Sequence, residues 1–130
     1  MRTIFVYGTL QRGYGNYKRL LEGKSTFKDL GSLEGFHMLH LGGFPGIVPG
    51  TGTIRGEVFE VDDSVIPSLD RLEGHPSFYV RTPCTLADGQ SAEVYVLNES
   101  WHIKDGLSSK IIPDGNWRTA NGRSPERTDA

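Results

Sequence analysis

Two features of this chain could do chemistry together. In the first, the apolar run Ile4-Phe5-Val6-Tyr7 breaks directly into Gly8-Thr9-Leu10. A buried strand ending in a glycine turn leaves successive backbone N–H groups facing open space, a cradle for an anion or a carbonyl oxygen; the plainer alternative is a simple strand end. The second feature is Glu73. On a helix over residues 64–73, turning about 100° per residue, Val65, Ile66, Leu69 and Leu72 share one face, and Glu73 falls inside that apolar stripe. It also sits in the last turn, at the negative end of the helix dipole, so desolvation and the dipole should both raise its pKa. A carboxylate poised in this way takes and returns a proton near neutral pH. The structural alternative is a side chain that reaches past the helix end to pair with Arg71, Arg81 or Lys104. Asp70, on the outer face, reads as a solvated charge.

Other reactive residue types give weaker signals. Gly8 and Gly13 have the glycine spacing of a phosphate loop, but Tyr14 and Gly15 stand where that loop needs Lys and Ser or Thr. His37 and His40 are separated by three positions, which in a strand sends the rings to opposite faces, so no metal site is expected. His75, two residues past Glu73, reads as a surface loop histidine within possible reach of a substrate. Cys84 falls at alternating spacing in a strand-like run and reads as an inert, buried thiol. No G-x-S-x-G elbow is present to support a triad.

The elements that must position these groups are short. Seventeen glycines and seven prolines punctuate 130 residues, a pattern of brief strands, tight turns and few helices. Beyond the opening strand, Asn16 is expected to cap a helix over residues 17–22 that Gly23 ends. Strand-like runs follow at 35–41, 53–61, 78–86 and 92–97, the last two joined by Asp88-Gly89, a strong hairpin signal. The helix over 64–73 has Asp62, Asp63 or Ser64 as its cap, Pro67 in its first turn and Gly74 at its end. Residues 109–117 read as one more short strand or ordered turn. Residues 1–117 therefore form one expected domain, α+β in class, built as a small mixed β-barrel with two or three flanking helices. Residues 118–130 have no aliphatic side chain larger than alanine and read as a mobile tail.

Bulk properties narrow the function. Fourteen Lys and Arg against sixteen Asp and Glu, with no long block of either sign, argue against a nucleic acid or a membrane surface as partner. The opening strand lacks the basic head and apolar stretch of a signal peptide, and a single cysteine suits a reducing compartment. A mature, cytoplasmic protein is expected, its oligomeric state left open by these features.

In order along the chain, Tyr7-Gly8-Thr9-Leu10, Phe44-Pro45-Gly46-Ile47-Val48-Pro49-Gly50, Leu69-Asp70-Arg71-Leu72-Glu73-Gly74 and Phe78-Tyr79-Val80-Arg81 resemble the gamma-glutamylcyclotransferase superfamily. The likeness is nearest to its small AIG2-like and gamma-glutamylamine cyclotransferase-like branch, and spans residues 2–97, with the later Ile-Pro-Asp-Gly-Asn-Trp also family-like. The resemblance implies a small barrel with flanking helices around a cavity. It implies Glu73 as catalytic acid/base, with Tyr7, Gly8, Thr9 and Leu10 binding a small gamma-glutamyl substrate and Tyr79 on the cavity wall. No metal or cofactor is implied. The products would be 5-oxoproline and a free amine. The branch acting on gamma-glutamyl amino acids carries Ser-Asn where this chain has Thr9-Leu10, which points away from that substrate. A non-catalytic ligand-binding module of the same fold, or a structural protein with Glu73 as an ordinary helix end, are the other readings the residues allow.

Overall fold

Burial on both faces explains why the opening strand is apolar from Ile4 onward. The computed structural model describes residues 1–101 and 110–120, and in it β1 (Arg2–Val6) lies inside a six-stranded sheet. Ile4 and Val6 face one core cluster with Phe59, Leu69 and Leu97, while Phe5 and Tyr7 face the other, with Val58, Val94 and Trp117. The remaining strands are β2 (Ser25–His40), β3 (Pro45–Val61), β4 (Tyr79–Thr85), β5 (Ser91–Leu97) and β6 (Ile111–Ile112). Their order across the sheet is β4-β5-β1-β3-β2-β6. All neighbours pair antiparallel except β1 and β5, which are parallel. The helices are α1 (Gly15–Leu20), α2 (Ile66–Glu73) and α3 (Trp117–Ala120).

The α+β class is as expected, but the sheet does not close into a barrel. It curls until the Ala87 amide donates to the Ser32 carbonyl at 2.9 Å, a single backbone bond among the described residues where closure requires a ladder. Among the described residues, the two-residue β6 pairs with β2 only at Met38 and Leu39, and no strand covers the rest of that outer edge to complete the ring. The expected strands at 35–41 and 53–61 are parts of much longer β2 and β3. Gly and Pro between residues 45 and 52 read locally as breakers, yet pairing with β2 carries the strand through them by way of a register shift near Gly35. Gly50 is required there, since a Cβ would come within 2.1 Å of the His37 ring lying across the strand.

Around α2 the local signals hold. Asp62 accepts from the Ser64 amide at 3.2 Å and opens a 3₁₀ turn (Asp63–Val65) that runs into α2. Pro67 lies in its first turn and Gly74 closes it at φ 68°, left-handed. Asn16 is different: it sits inside α1, and the N-cap position belongs to Tyr14 with no side-chain cap bond. Order at the other end of the chain continues past residue 117. Trp117 is 1% exposed, α3 runs through Ala120, and Arg118 pairs with Glu57, so the first three residues of the expected tail are helical. Residues 121–130, with the rest of that expectation, lie outside the described residues, as does Lys104.

Candidate active site

The end of β1 and the end of α2 meet at one cavity of about 280 Å³. Tyr7, Gly8, Thr9 and Leu10 line it from the strand side, and Leu72 and Glu73 from the helix side, with Tyr79 on β4 and Tyr95 on β5 between them. Every residue expected to bind substrate or move protons therefore borders the same space. Gly8 is held to glycine by packing, since a Cβ would come within 2.8 Å of Pro45 Cγ. The Gly8 carbonyl closes a turn by accepting from the Gln11 amide at 3.1 Å, and among the described residues the amides of Gly8, Thr9 and Leu10 find no acceptor. Asn16, misplaced above as a cap, instead donates to the Thr9 hydroxyl at 2.8 Å and lines the cavity beside it.

Glu73 is partly buried at the helix end, and burial raises its pKa from 4.5 to about 7. None of its alternative partners within the described residues engages it. Arg71 points to solvent, and Arg81 is occupied by Asp70, through bonds of 2.9 and 3.1 Å, and by Glu93 at 2.8 Å. The tyrosines around Glu73 are held as neutral phenols. Desolvation is the main cause at Tyr7, Tyr79 and Tyr95, and the Glu73 charge pushes each pKa further up. The Tyr7 hydroxyl donates to the Tyr95 carbonyl at 2.7 Å, and that of Tyr79 to the Pro45 carbonyl. The arrangement sets a carboxylate whose pKa burial raises to about 7 on the same cavity as a turn whose Gly8, Thr9 and Leu10 amides have no acceptor among the described residues.

Sequence comparison bears on what such a site does. The family model described as gamma-glutamyl cyclotransferase, AIG2-like, matches residues 4–119. The chain belongs to this family. It is 35% identical over 114 residues to the gamma-glutamylcyclotransferase family protein YtfP of Escherichia coli, covering 88% of this chain and 94% of the relative. It is 42% identical over 91 residues to the gamma-glutamylaminecyclotransferase of Rattus norvegicus, covering 63% of this chain and 61% of the rat protein. Among solved structures, an AIG2-like protein from Mus musculus superposes with a TM-score of 0.71 at 29% identity, covering 90% of this chain and 88% of the mouse chain.

In this member of the gamma-glutamyl cyclotransferase family, Asp70 is not the solvated charge its place on the helix suggests. Besides the bidentate Arg81 pair it accepts the Tyr95 hydroxyl at 2.6 Å. Desolvation opposes its ionisation, but the bonds from Arg81 and Tyr95 outweigh that and hold its pKa below the usual 3.8. Glu93 joins Arg81 to Arg2, 2.9 Å away, so one ionic chain ties α2 to β4, β5 and β1. Arg81 and Tyr95 were invisible as partners because they are brought to Asp70 only by strand pairing.

The histidines and the cysteine stand apart. His37 Nε2 accepts from the Thr51 amide at 3.4 Å, His40 packs against the Trp117 ring at 5.0 Å, and His75 Nδ1 accepts from the Arg81 amide at 3.0 Å. Among the described residues no group of three or more His, Cys, Asp or Glu is placed to hold a metal ion. Burial, with the nearby charge of Glu93, pushes the half-buried Cys84 thiol up to about 11, far from a thiolate nucleophile. No helix among the described residues is long and apolar enough to cross a membrane.

Proposed function

We propose that this chain cyclises a gamma-glutamyl amine to 5-oxoproline and releases the free amine, with Glu73 as acid/base. The observation that carries the reading is the half-buried carboxylate of Glu73, its pKa near 7, bordering one cavity with the turn amides of Gly8 to Leu10. The substrate supplies its own nucleophile. Its alpha-nitrogen forms a bond to the carbonyl carbon of the gamma-amide, a five-membered ring closes, and the bond from that carbonyl carbon to the departing nitrogen breaks. Two protons leave the alpha-nitrogen and two arrive on the departing amine, so the balance needs no oxidant or co-reactant. Glu73 takes a proton from the alpha-ammonium and returns it to the leaving nitrogen, a contribution of about 10²–10⁴ in rate. The amides of Gly8, Thr9 and Leu10 hold the alpha-carboxylate or the developing oxyanion. Tyr79 walls the cavity.

Supporting an amine rather than an amino acid as leaving group, no Lys, Arg or His among the described residues lines the cavity to balance a second carboxylate. The Thr9-Leu10 pair and the rat relative's name agree with that choice. A cytoplasmic setting follows from the lone cysteine and the small-molecule chemistry. The test is mass-spectrometric detection of 5-oxoproline from gamma-glutamyl amines, gamma-glutamyl amino acids and glutamyl-lysine isopeptides, with Glu73→Gln as control. Release that is strongest from amines and falls at least about 100-fold in Glu73→Gln is expected. Equal release by both proteins refutes the catalytic assignment, and saturable binding without turnover makes the chain a binding module.

A further inference from the structure

Two polar side chains are fully buried among the described residues, Gln11 at 5% exposure and Glu57 at 2%. A buried polar group is costly unless it is bonded, so its partners show what its position secures. Both attach to the same loop. Gln11 Nε2 donates to the Tyr7 carbonyl at 3.0 Å and to the Gly8 carbonyl at 3.3 Å. In a planar trans peptide the carbonyl and the following N–H point in opposite directions. Holding those two carbonyls toward Gln11 therefore turns the N–H groups of Gly8 and Thr9 the other way, and both residues border the cavity.

Glu57 fixes the far end of the loop. One carboxylate oxygen accepts the Arg12 amide at 2.8 Å; the other accepts the guanidinium groups of Arg12 at 3.3 Å and Arg118 at 3.2 Å. Arg118 also donates to the Arg12 carbonyl at 2.6 Å. The Arg12 main chain is thus gripped at both its N–H and its C=O, by a strand residue and by a residue of the C-terminal helix.

We propose that Gln11, backed by the Glu57–Arg118 clamp, is a positioning residue that aims the Gly8 and Thr9 amides at the anionic part of the substrate. The proposal rests on the cyclotransferase reading, and it makes a further demand: the cradle is preorganised by a side chain behind it, not by the turn alone. Gln11→Met keeps length and burial but removes the donor. Arg118→Ala opens the clamp from a more exposed position, and Arg118→Lys keeps its charge.

Steady-state 5-oxoproline release would be measured at 25 °C from a gamma-glutamyl amine, across pH 5.5–9. In parallel, affinity for 5-oxoproline would be measured by ligand-observed NMR. In Gln11→Met both kcat/KM and 5-oxoproline affinity should fall about tenfold, the size expected when donors to a charged group are lost, while the acid limb of the kcat/KM profile stays near 7 because Glu73 is untouched. Arg118→Ala should show the same pattern more weakly and Arg118→Lys partial recovery, which keeps the test decisive where Gln11→Met fails to fold. A lowered melting temperature with kcat/KM and affinity both unchanged overturns the proposal, leaving Gln11 and Glu57 as fold anchors. An acid limb that moves with the variants also overturns it, because the effect then runs through Glu73. Absence of turnover in the parent protein refutes the cyclotransferase reading alone, and the affinity measurement then decides the role of Gln11; a parent protein that neither turns over nor binds refutes both.

Discussion

Glu73→Gln separates the burial of the carboxylate from its chemistry. The shift from 4.5 to about 7 spans about 2.5 pH units, and at roughly 1.4 kcal/mol per unit that is about 3 kcal/mol. The folded chain holds this proton more tightly than the unfolded chain does. Its contribution to stability is therefore full below about pH 4.5, declines as pH rises toward 7, and is gone above. Glutamine fills the same space and never ionises. The stability of Glu73→Gln minus that of the parent should be under about 1 kcal/mol at pH 5 and grow to about 3 kcal/mol by pH 8.5, equivalent to a melting point raised by about 10 °C. Denaturant titrations of both proteins across that range measure the difference, from which groups that titrate alike in the two proteins cancel. A flat difference shows that the carboxylate is solvated. A glutamine variant less stable at pH 8.5 shows instead that Glu73 is ion-paired, and either result refutes the desolvated-base account.

The kcat/KM of the parent should rise with pH through an acid limb near 7, since Glu73 must be ionised to accept a proton, and a limb near 4.5 in a profile of kcat/KM against pH counts against it. Gly8→Ala should cut kcat/KM at least about tenfold and cost about 1–3 kcal/mol in a thermal melt, as the new Cβ meets Pro45 at 2.8 Å; unchanged kinetics mean the turn can shift at no cost. Asp70→Asn should cost about 2 kcal/mol at pH 7 by denaturant titration. Because the Asp70 pKa is depressed, that gap should close as pH falls below the usual 3.8, and a gap that persists in acid shows the carboxylate charge is not its source. Deleting residues 121–130 should leave melting temperature and turnover unchanged, whereas deletion from residue 118 onward should lower both by removing Arg118 from Glu57; equal behaviour of the two truncations counts against the clamp.

Glu73 was legible because its signal is local. A carboxylate among Ile66, Leu69 and Leu72 contradicts its own helix face, and the burial of Ile66 and Leu69 makes that contradiction real. The same test at a period of two would have found Glu57, which shares its strand face with Phe59 and Val61, both completely buried. Asp70 misled for the opposite reason: helix periodicity reports which face a residue is on, not that β4 and β5 bring Arg81 and Tyr95 to that face.

What the sequence by itself determined is whatever rests on neighbours a few residues apart. That covers the apolar strand running into Gly8, the cap and glycine stop of α2, the Asp88-Gly89 hairpin and the unusual face of Glu73, all fixed by backbone sterics and short-range periodicity. Tertiary structure alone decided what depends on distant segments meeting. Among the described residues the curled sheet stops at one bond between Ala87 and Ser32 without closing, and β2 and β3 run through their glycines because each supplies the other's hydrogen bonds. Arg118 reaches Glu57 across 61 positions of sequence, and no local pattern encodes that pairing; it exists because the completed core brings α3 against the loop that follows β1.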